Sequence, residues 1–501
     1  MSNGPLDISE EDGTNLRRIR TASIATLGCK LNQSESDHMA RQLAEAGVVL
    51  VPFGQQADLC LVNSCTVTHI GDRKSRQLIR QALRANPESF VAVAGCYAEV
   101  EAEAVAAIEG VGAVLGNRGK DRLVEVLRGY GLALGEEPSP RLSRGEGGME
   151  AGPSVGSGPS PHEATCTLEG AATALVSREE PPFAPTRTRA FVKIQEGCDN
   201  HCSYCIVPTA RGRQRSRPAE EVLDEIGRLV REGHQEVVLT GVNITAYGRD
   251  FGSDTARESS RGAGLLRLLE RILAETDVPR LRLSSLQPED WTPAFYDLWS
   301  SGRLCRHLHL SLQSGSGAVL KRMRRRYNVD RYARIVDDAR RALPGVAITT
   351  DVIVGFPGES DEEFEETERF LRTIGFAGLH VFKYSPRKGT PAASMPDQVD
   401  PRVKQQRSDR LIGLAREMAA EFCSQFVGSV LGVLWEERVP QEEARRLGLI
   451  RCGEASWWTG LSDNYVRIFA RSSGDLGGTV CGARVERPAT EGVIGIPLRS
   501  R

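Results

Sequence analysis

Short apolar runs alternate with longer amphipathic stretches along the first quarter of the chain. Residues 23–27 (SIATL), 59–62 (LCLV) and 90–94 (FVAVA) read as buried strands. Residues 74–83 and 100–108 carry helical patterns between and after them. Asn32 opens another helical stretch, with Glu35 at the capping-box spacing. Such alternation predicts an open parallel sheet flanked by helices. It resumes at about residue 187, with strand patterns at 190–195, 236–240, 280–284, 307–311, 346–354 and 378–384 and helices such as 219–231 and 330–342. Six βα units predict a partial, open α/β barrel whose chemistry sits at the carboxyl ends of its strands. A helical stretch at 403–422 leads into short strands with many glycines (SVLGVLWEE, NYVRIFA, GTVCGARVE), which predict a small β-barrel.

The fold class is therefore α/β, in the order N-terminal sheet domain (20–130), linker (131–186), central partial (β/α)6 barrel (187–426) and C-terminal β-barrel (427–498). The linker is expected to be disordered, because its Gly, Pro, Ser and Glu residues cannot bury enough apolar surface to offset their ordering entropy. A length of 501 residues suits this division.

Net charge is −2, so nucleic-acid binding would have to come from local basic patches. The first residues are acidic and lack an apolar run, and no stretch approaches the roughly 18 apolar residues of a membrane span. A cytoplasmic location is expected. In a reducing compartment, 12 cysteines point to metal binding or catalysis before disulfides.

Cys198, Cys202 and Cys205 follow the strand pattern FVKIQ at i, i+4 and i+7. On a loop, this spacing lets three thiolates face one iron–sulfur cube. Ferredoxin-type 4Fe–4S clusters take four cysteines, so here one iron stays open to a ligand. The competing reading is a zinc knuckle with His201 as fourth ligand, although its adjacency to Cys202 makes tetrahedral ligation awkward. Cys29, Cys65 and Cys96 lie about 30 residues apart, each just past a strand pattern. Strand ends gather at one edge of an open parallel sheet, so these thiols can converge. The competing reading is three separately buried cysteines.

The string GCDNHCSYCIVPTARGRQRSRP, with LGCKLNQSES, NSCTVT and GCYAE upstream, resembles the methylthiotransferases of the radical S-adenosylmethionine (SAM) superfamily. The resemblance implies two 4Fe–4S clusters. Cys198, Cys202 and Cys205 would hold the one whose open iron chelates SAM. Cys29, Cys65 and Cys96 would hold an auxiliary cluster that supplies or carries the inserted sulfur. Strand-end residues Thr240, Gly241, Asn243, Ser284, Ser311, Gln313, Gly355 and Gly358 would form the SAM site. Cys60, Cys166, Cys305, Cys423, Cys452 and Cys481 match nothing in the family pattern.

The C-terminal segment, above all GLSDNYVRIFA, resembles the small RNA-binding TRAM barrel of the same family. Its nearly balanced charge suggests that it orients RNA rather than supplying most of the affinity. Two basic runs, Arg211/Arg213/Arg215/Arg217 and Lys321/Arg322/Arg324/Arg325/Arg326, read either as solvated faces or as phosphate contacts. The string NSCTVTHIGDRKSRQLIR most resembles the branch acting on N6-threonylcarbamoyladenosine beside the tRNA anticodon. Alternatives are isopentenyl-type adenosine, a ribosomal-protein aspartate, or a non-enzymatic electron carrier with an RNA-binding barrel. The implied partners are tRNA, SAM, an electron donor and a sulfur donor.

Overall fold

The computed structural model describes residues 16–135, 188–251, 262–449 and 455–498. The first region is a parallel sheet in the order Val49–Leu50, Thr21–Thr26, Leu59–Ser64, Phe90–Gly95, Val111–Leu115. Every residue of Leu59–Ser64 is buried, as expected of a central parallel strand covered on both faces. The two short outer strands were not evident from the sequence. The expected helix at 100–108 is two short helices, Cys96–Val100 and Ala102–Ala106.

Asn32 does not start a helix: Lys30–Glu45 is helical with Cys29 at the N-cap position and no side-chain cap. Asn32 instead donates to the carbonyls of Leu27 (2.9 Å) and Ser64 (3.0 Å), and Glu35 is drawn into an ion-pair network. Leu132–Leu134, expected in the linker, forms a strand parallel to Arg17–Ile19. Residues 136–186 of the linker, including Cys166, lie outside the described residues.

The central region places its strands in chain order around a partial barrel. Arg189–Lys193, Glu236–Thr240 and Arg280–Leu283 form one parallel sheet, and Ser285–Leu286, His307–Leu310, Ala347–Val354 and Gly378–Lys383 form a second. Arg280–Leu283 and Ser285–Leu286 are two parts of one course, interrupted at Ser284. Helices Ala219–Arg231, Ala263–Glu275, Val329–Ala342 and Asp361–Ile374 cover the outside, sharing one apolar core with the strands. Alternation along His307–Leu310 sends Leu308 and Leu310 into that core, while His307 and His309 both meet the Thr349 hydroxyl. Among the described residues, no ladder joins the first strand to the last, so the barrel stays open.

Helix Pro401–Ser424 leads into a closed five-stranded barrel built on buried Val433, Trp435 and Ile468. Its Ser462–Tyr465 turn meets the amino-terminal ends of the central strands. Arg282 pairs with Glu236 (2.7 Å) and donates to the carbonyls of Ser462 (3.0 Å) and Asp463 (3.1 Å). Tyr465 stacks on His307, with ring centroids 4.0 Å apart. One end of the partial barrel is thus packed with side chains, leaving the carboxyl ends for a site. No helix among the described residues is long and apolar enough to cross a membrane.

Candidate active site

The central cysteine loop begins at Gly197, whose φ is +68°. A Cβ there would collide with the Arg213 carbonyl oxygen, so only glycine fits. The loop is tied down by the Cys198 amide donating to Gly212 O (3.1 Å) and the Ser203 amide donating to Met323 O (3.1 Å). Ser203 Oγ adds a bond to Arg322 O (2.8 Å).

The other three cysteines stand at the carboxyl ends of adjacent strands. Cys29 follows Thr21–Thr26, Cys65 follows Leu59–Ser64, and Cys96 follows Phe90–Gly95 and opens a helix. Gly95, at φ +100°, lets its strand pass the Ser64 carbonyl, which a Cβ would strike.

Both sets of cysteines face one cavity of about 350 Å³, lined by Cys29, Cys65, Cys96, Cys198, Cys202 and Cys205. Burial pushes the Cys65 thiol up to about 11 and the Cys205 thiol up to about 12. Such thiols become thiolate ligands only beside a strong positive charge, which bound iron supplies. His201 is exposed, and among the described residues no histidine lines the cavity. The donor sets therefore suit two clusters of three cysteines each and do not build a four-ligand zinc knuckle.

Of the expected SAM-site residues, Gly241, Asn243, Ser311 and Gln313 line the cavity. Gln313 has a left-handed backbone (φ +73°) and bonds the Asp351 carbonyl and the Ile353 amide across to the neighbouring strand. Thr240, Ser284, Gly355 and Gly358 do not line it. Thr240 and Ser284 are buried where the strands end, and a Cβ on Gly355 would meet Lys404 of helix Pro401–Ser424. Gln195 was missed in the sequence: its Oε1 accepts from the amides of Val242 (3.0 Å) and Asn243 (2.9 Å), and its Nε2 donates to Gly197 O (2.7 Å).

The basic runs divide. Arg211 is buried and pairs with Glu35 (2.6 Å) and Glu196 (3.1 Å), while its other nitrogen donates to Asn32 Oδ1 (2.8 Å). Lys120 completes the network at Glu35 (2.5 Å). Asn117 Nδ2 donates to Ala210 O (2.6 Å), a second tie between the sheet domain and the central cysteine loop. Arg215 pairs with Glu196 and Arg217 with Glu225, while Arg213 stays exposed. In the second run Arg322 pairs with Glu363 and Arg325 turns toward Cys202. Only Lys321, Arg324 and Arg326 remain on the surface there. Of the unassigned cysteines, Cys60, Cys305 and Cys423 are buried, and Cys481 accepts from Trp435 Nε1 (3.0 Å).

The Radical SAM superfamily profile matches residues 192–371, and that of Uncharacterized protein family UPF0004 matches residues 21–116. The chain is 37% identical over 473 residues to the threonylcarbamoyladenosine tRNA methylthiotransferase of Bacillus subtilis, covering 93% of this chain and 94% of that one. The chain belongs to the radical SAM tRNA methylthiotransferase family. The methylthiotransferase is also 35% identical to the threonylcarbamoyladenosine tRNA methylthiotransferase of Thermotoga maritima, covering 83% of this chain and 87% of that one. It is 37% identical to the tRNA-2-methylthio-N(6)-dimethylallyladenosine synthase of Nitratidesulfovibrio vulgaris, covering 85% and 88%. Among solved structures, the radical SAM methyltransferase TsrM from Kitasatospora setae shares the fold, with a TM-score of 0.50 at 16% identity over 75% of this chain and 77% of that one.

Proposed function

We propose that this methylthiotransferase places a methylthio group on C2 of N6-threonylcarbamoyladenosine beside the anticodon of tRNA. The observation that carries the reading is the single cavity shared by all six cysteines. Cys198, Cys202 and Cys205 hold one 4Fe–4S cluster and Cys29, Cys65 and Cys96 hold the other. When bound, the clusters supply the electron that cleaves SAM to a 5′-deoxyadenosyl radical and the sulfur that is transferred.

The chain's own contribution is placement. Gln195 holds the Val242–Asn243 backbone against the cavity, and Gly241, Asn243, Ser311 and Gln313 form its wall on the side of the SAM cluster. Arg211 joins the helix after Cys29 to the strand end before Cys198, fixing the two halves against each other. The adenine must be turned out of its stack to enter, which a single-stranded loop permits. The C-terminal barrel orients the RNA, and within the two basic runs Lys321, Arg324 and Arg326 on the surface, with Arg213 exposed beside Asp199 (3.5 Å), are the cations that can meet its phosphates. An electron donor and a sulfur donor complete the reaction.

The threonylcarbamoyl branch is favoured because relatives bearing that name match at 37% and 31% identity over 93% and 95% of this chain. The branch-like string TVTH also supplies Thr66, Val67 and Thr68 to the cavity wall. Nucleoside mass analysis of tRNA from cells with and without the protein tests the reading. The methylthio derivative of threonylcarbamoyladenosine should disappear with the gene. Loss of the dimethylallyl product instead would assign the chain to the other branch.

A further inference from the structure

Two arginines enter the cavity wall, and their charges are answered differently. Arg211, beside the sheet-domain cysteines, is neutralised by Glu35 and Glu196. Arg325, beside the central triplet, has no carboxylate at ion-pair distance among the described residues. Arg324 adopts a left-handed backbone (φ +58°), and the next side chain turns inward. Arg325 Nη1 then points at Cys202 Sγ (3.3 Å), Nη2 donates to Gln287 Oε1 (2.5 Å), and Nε donates to Tyr327 Oη (3.1 Å). Its guanidinium carbon lies 4.9 Å from the centre of the Tyr327 ring. Glu289 acts on it only at longer range.

A guanidinium is charged at any working pH, and Arg325 is half-buried against the cavity wall, where a cation without an anion is unfavourable. Its hydrogen-bonding partners are two neutral groups and one sulfur, so the missing negative charge belongs at Cys202. We propose that Arg325 is the counter-charge of the SAM-binding cluster. It stabilises the extra negative charge that the cluster gains on accepting one electron from an external low-potential reductant. Net charge and hydrogen bonds to the sulfurs are among the factors that set cluster potentials. Among the described residues, the arginine in the cavity wall beside the sheet-domain cysteines, Arg211, is already answered by two carboxylates, so the electron is directed to the cluster that cleaves SAM. The inference rests on the reading of Cys202 as a cluster ligand.

The test is an EPR-monitored redox titration of the full chain, reconstituted anaerobically without SAM. Cys29, Cys65 and Cys96 are replaced by alanine so that only one cluster is read. Arg325→Gln should lower the midpoint enough to leave about tenfold less reduced cluster at a fixed potential, a shift of about 59 mV for one electron. Arg325→Lys keeps the charge and loses the fork, so its midpoint should fall between the two; it carries the same test if the glutamine variant loses iron. An unmoved midpoint with iron retained, accompanied only by weaker SAM binding, would make Arg325 a SAM ligand and overturn the proposal. Absence of cluster iron in the parent would overturn the ligand reading and this inference with it.

Discussion

Arg387, from the loop after strand Gly378–Lys383, closes on Asp72 of the sheet domain with Nη1 2.7 Å from Oδ2. Its other nitrogen donates to Thr66 Oγ1 (2.6 Å), and Thr66 donates in turn to Asp72 (2.6 Å). Arg387 is only 4% exposed. A side chain of the central barrel therefore grips the residue next to Cys65. Arg387→Ala removes the guanidinium from buried Asp72 and leaves it only the Thr66 hydroxyl and the His69 ring, 3.6 Å away; losing one partner of a buried pair typically destabilises by about 3–5 kcal/mol. The expected outcome is a lower Tm, retained production of 5′-deoxyadenosine, and little methylthio product. Unchanged coupling of SAM cleavage to product would show that the grip does not position Cys65.

Gly95 and Gly197 separate the two cluster sites. Gly95→Ala forces the backbone before Cys96 off the Ser64 carbonyl, and Gly197→Ala does the same before Cys198 at Arg213. Each variant should lose about half of the iron, one four-iron cluster of two. Only Gly95→Ala should go on cleaving SAM. Iron assay and 5′-deoxyadenosine analysis check both.

The Glu35 carboxyl is held well below the usual carboxylate range. Its burial acts in the opposite direction and is outweighed by Arg211 and Lys120. A carboxyl depressed in the folded state stabilises above its unfolded value, roughly 4.3, and loses that contribution as pH falls further. Urea unfolding should therefore show stability falling steeply below about pH 4. Glu35→Gln should be less stable at pH 7, with a flatter acid limb; an unchanged limb would remove Glu35 from the account.

The contacts that pack the amino-terminal end of the partial barrel should divide by burial. Glu236 and Arg282 have fully buried side chains, whereas Asp463 and Arg306 are 29% and 37% exposed. Glu236→Gln should cost several kcal/mol, on the order of 3–5. Asp463→Asn should cost about 0–1 kcal/mol. Thermal melting of the two variants checks the ranking.

Much of the scaffold was legible because parallel strands covered on both faces leave unbroken apolar runs. Glu236–Thr240 and the helix Ala219–Arg231 fall on their predicted bounds. The convergence of the cysteines on one cavity follows from position: Cys29, Cys65 and Cys96 each come just after such a strand, and Cys198, Cys202 and Cys205 share the loop after Gln195–Glu196. The arginine runs were not, because a local charge run does not say which side chain turns inward. Arg211 is drawn in by Glu35, distant in sequence, and Arg325 follows a left-handed turn at Arg324. Asn32 misled for a related reason: the Asn-x-x-Glu spacing of a helix start is also the spacing of two residues sharing one helix face, here used for tertiary bonds.

The most direct test of two clusters with separate tasks is product analysis of Cys65→Ala, reconstituted anaerobically and given SAM, reductant and substrate tRNA. The account predicts 5′-deoxyadenosine without any methylthio nucleoside. Normal methylthio product from that variant would contradict it.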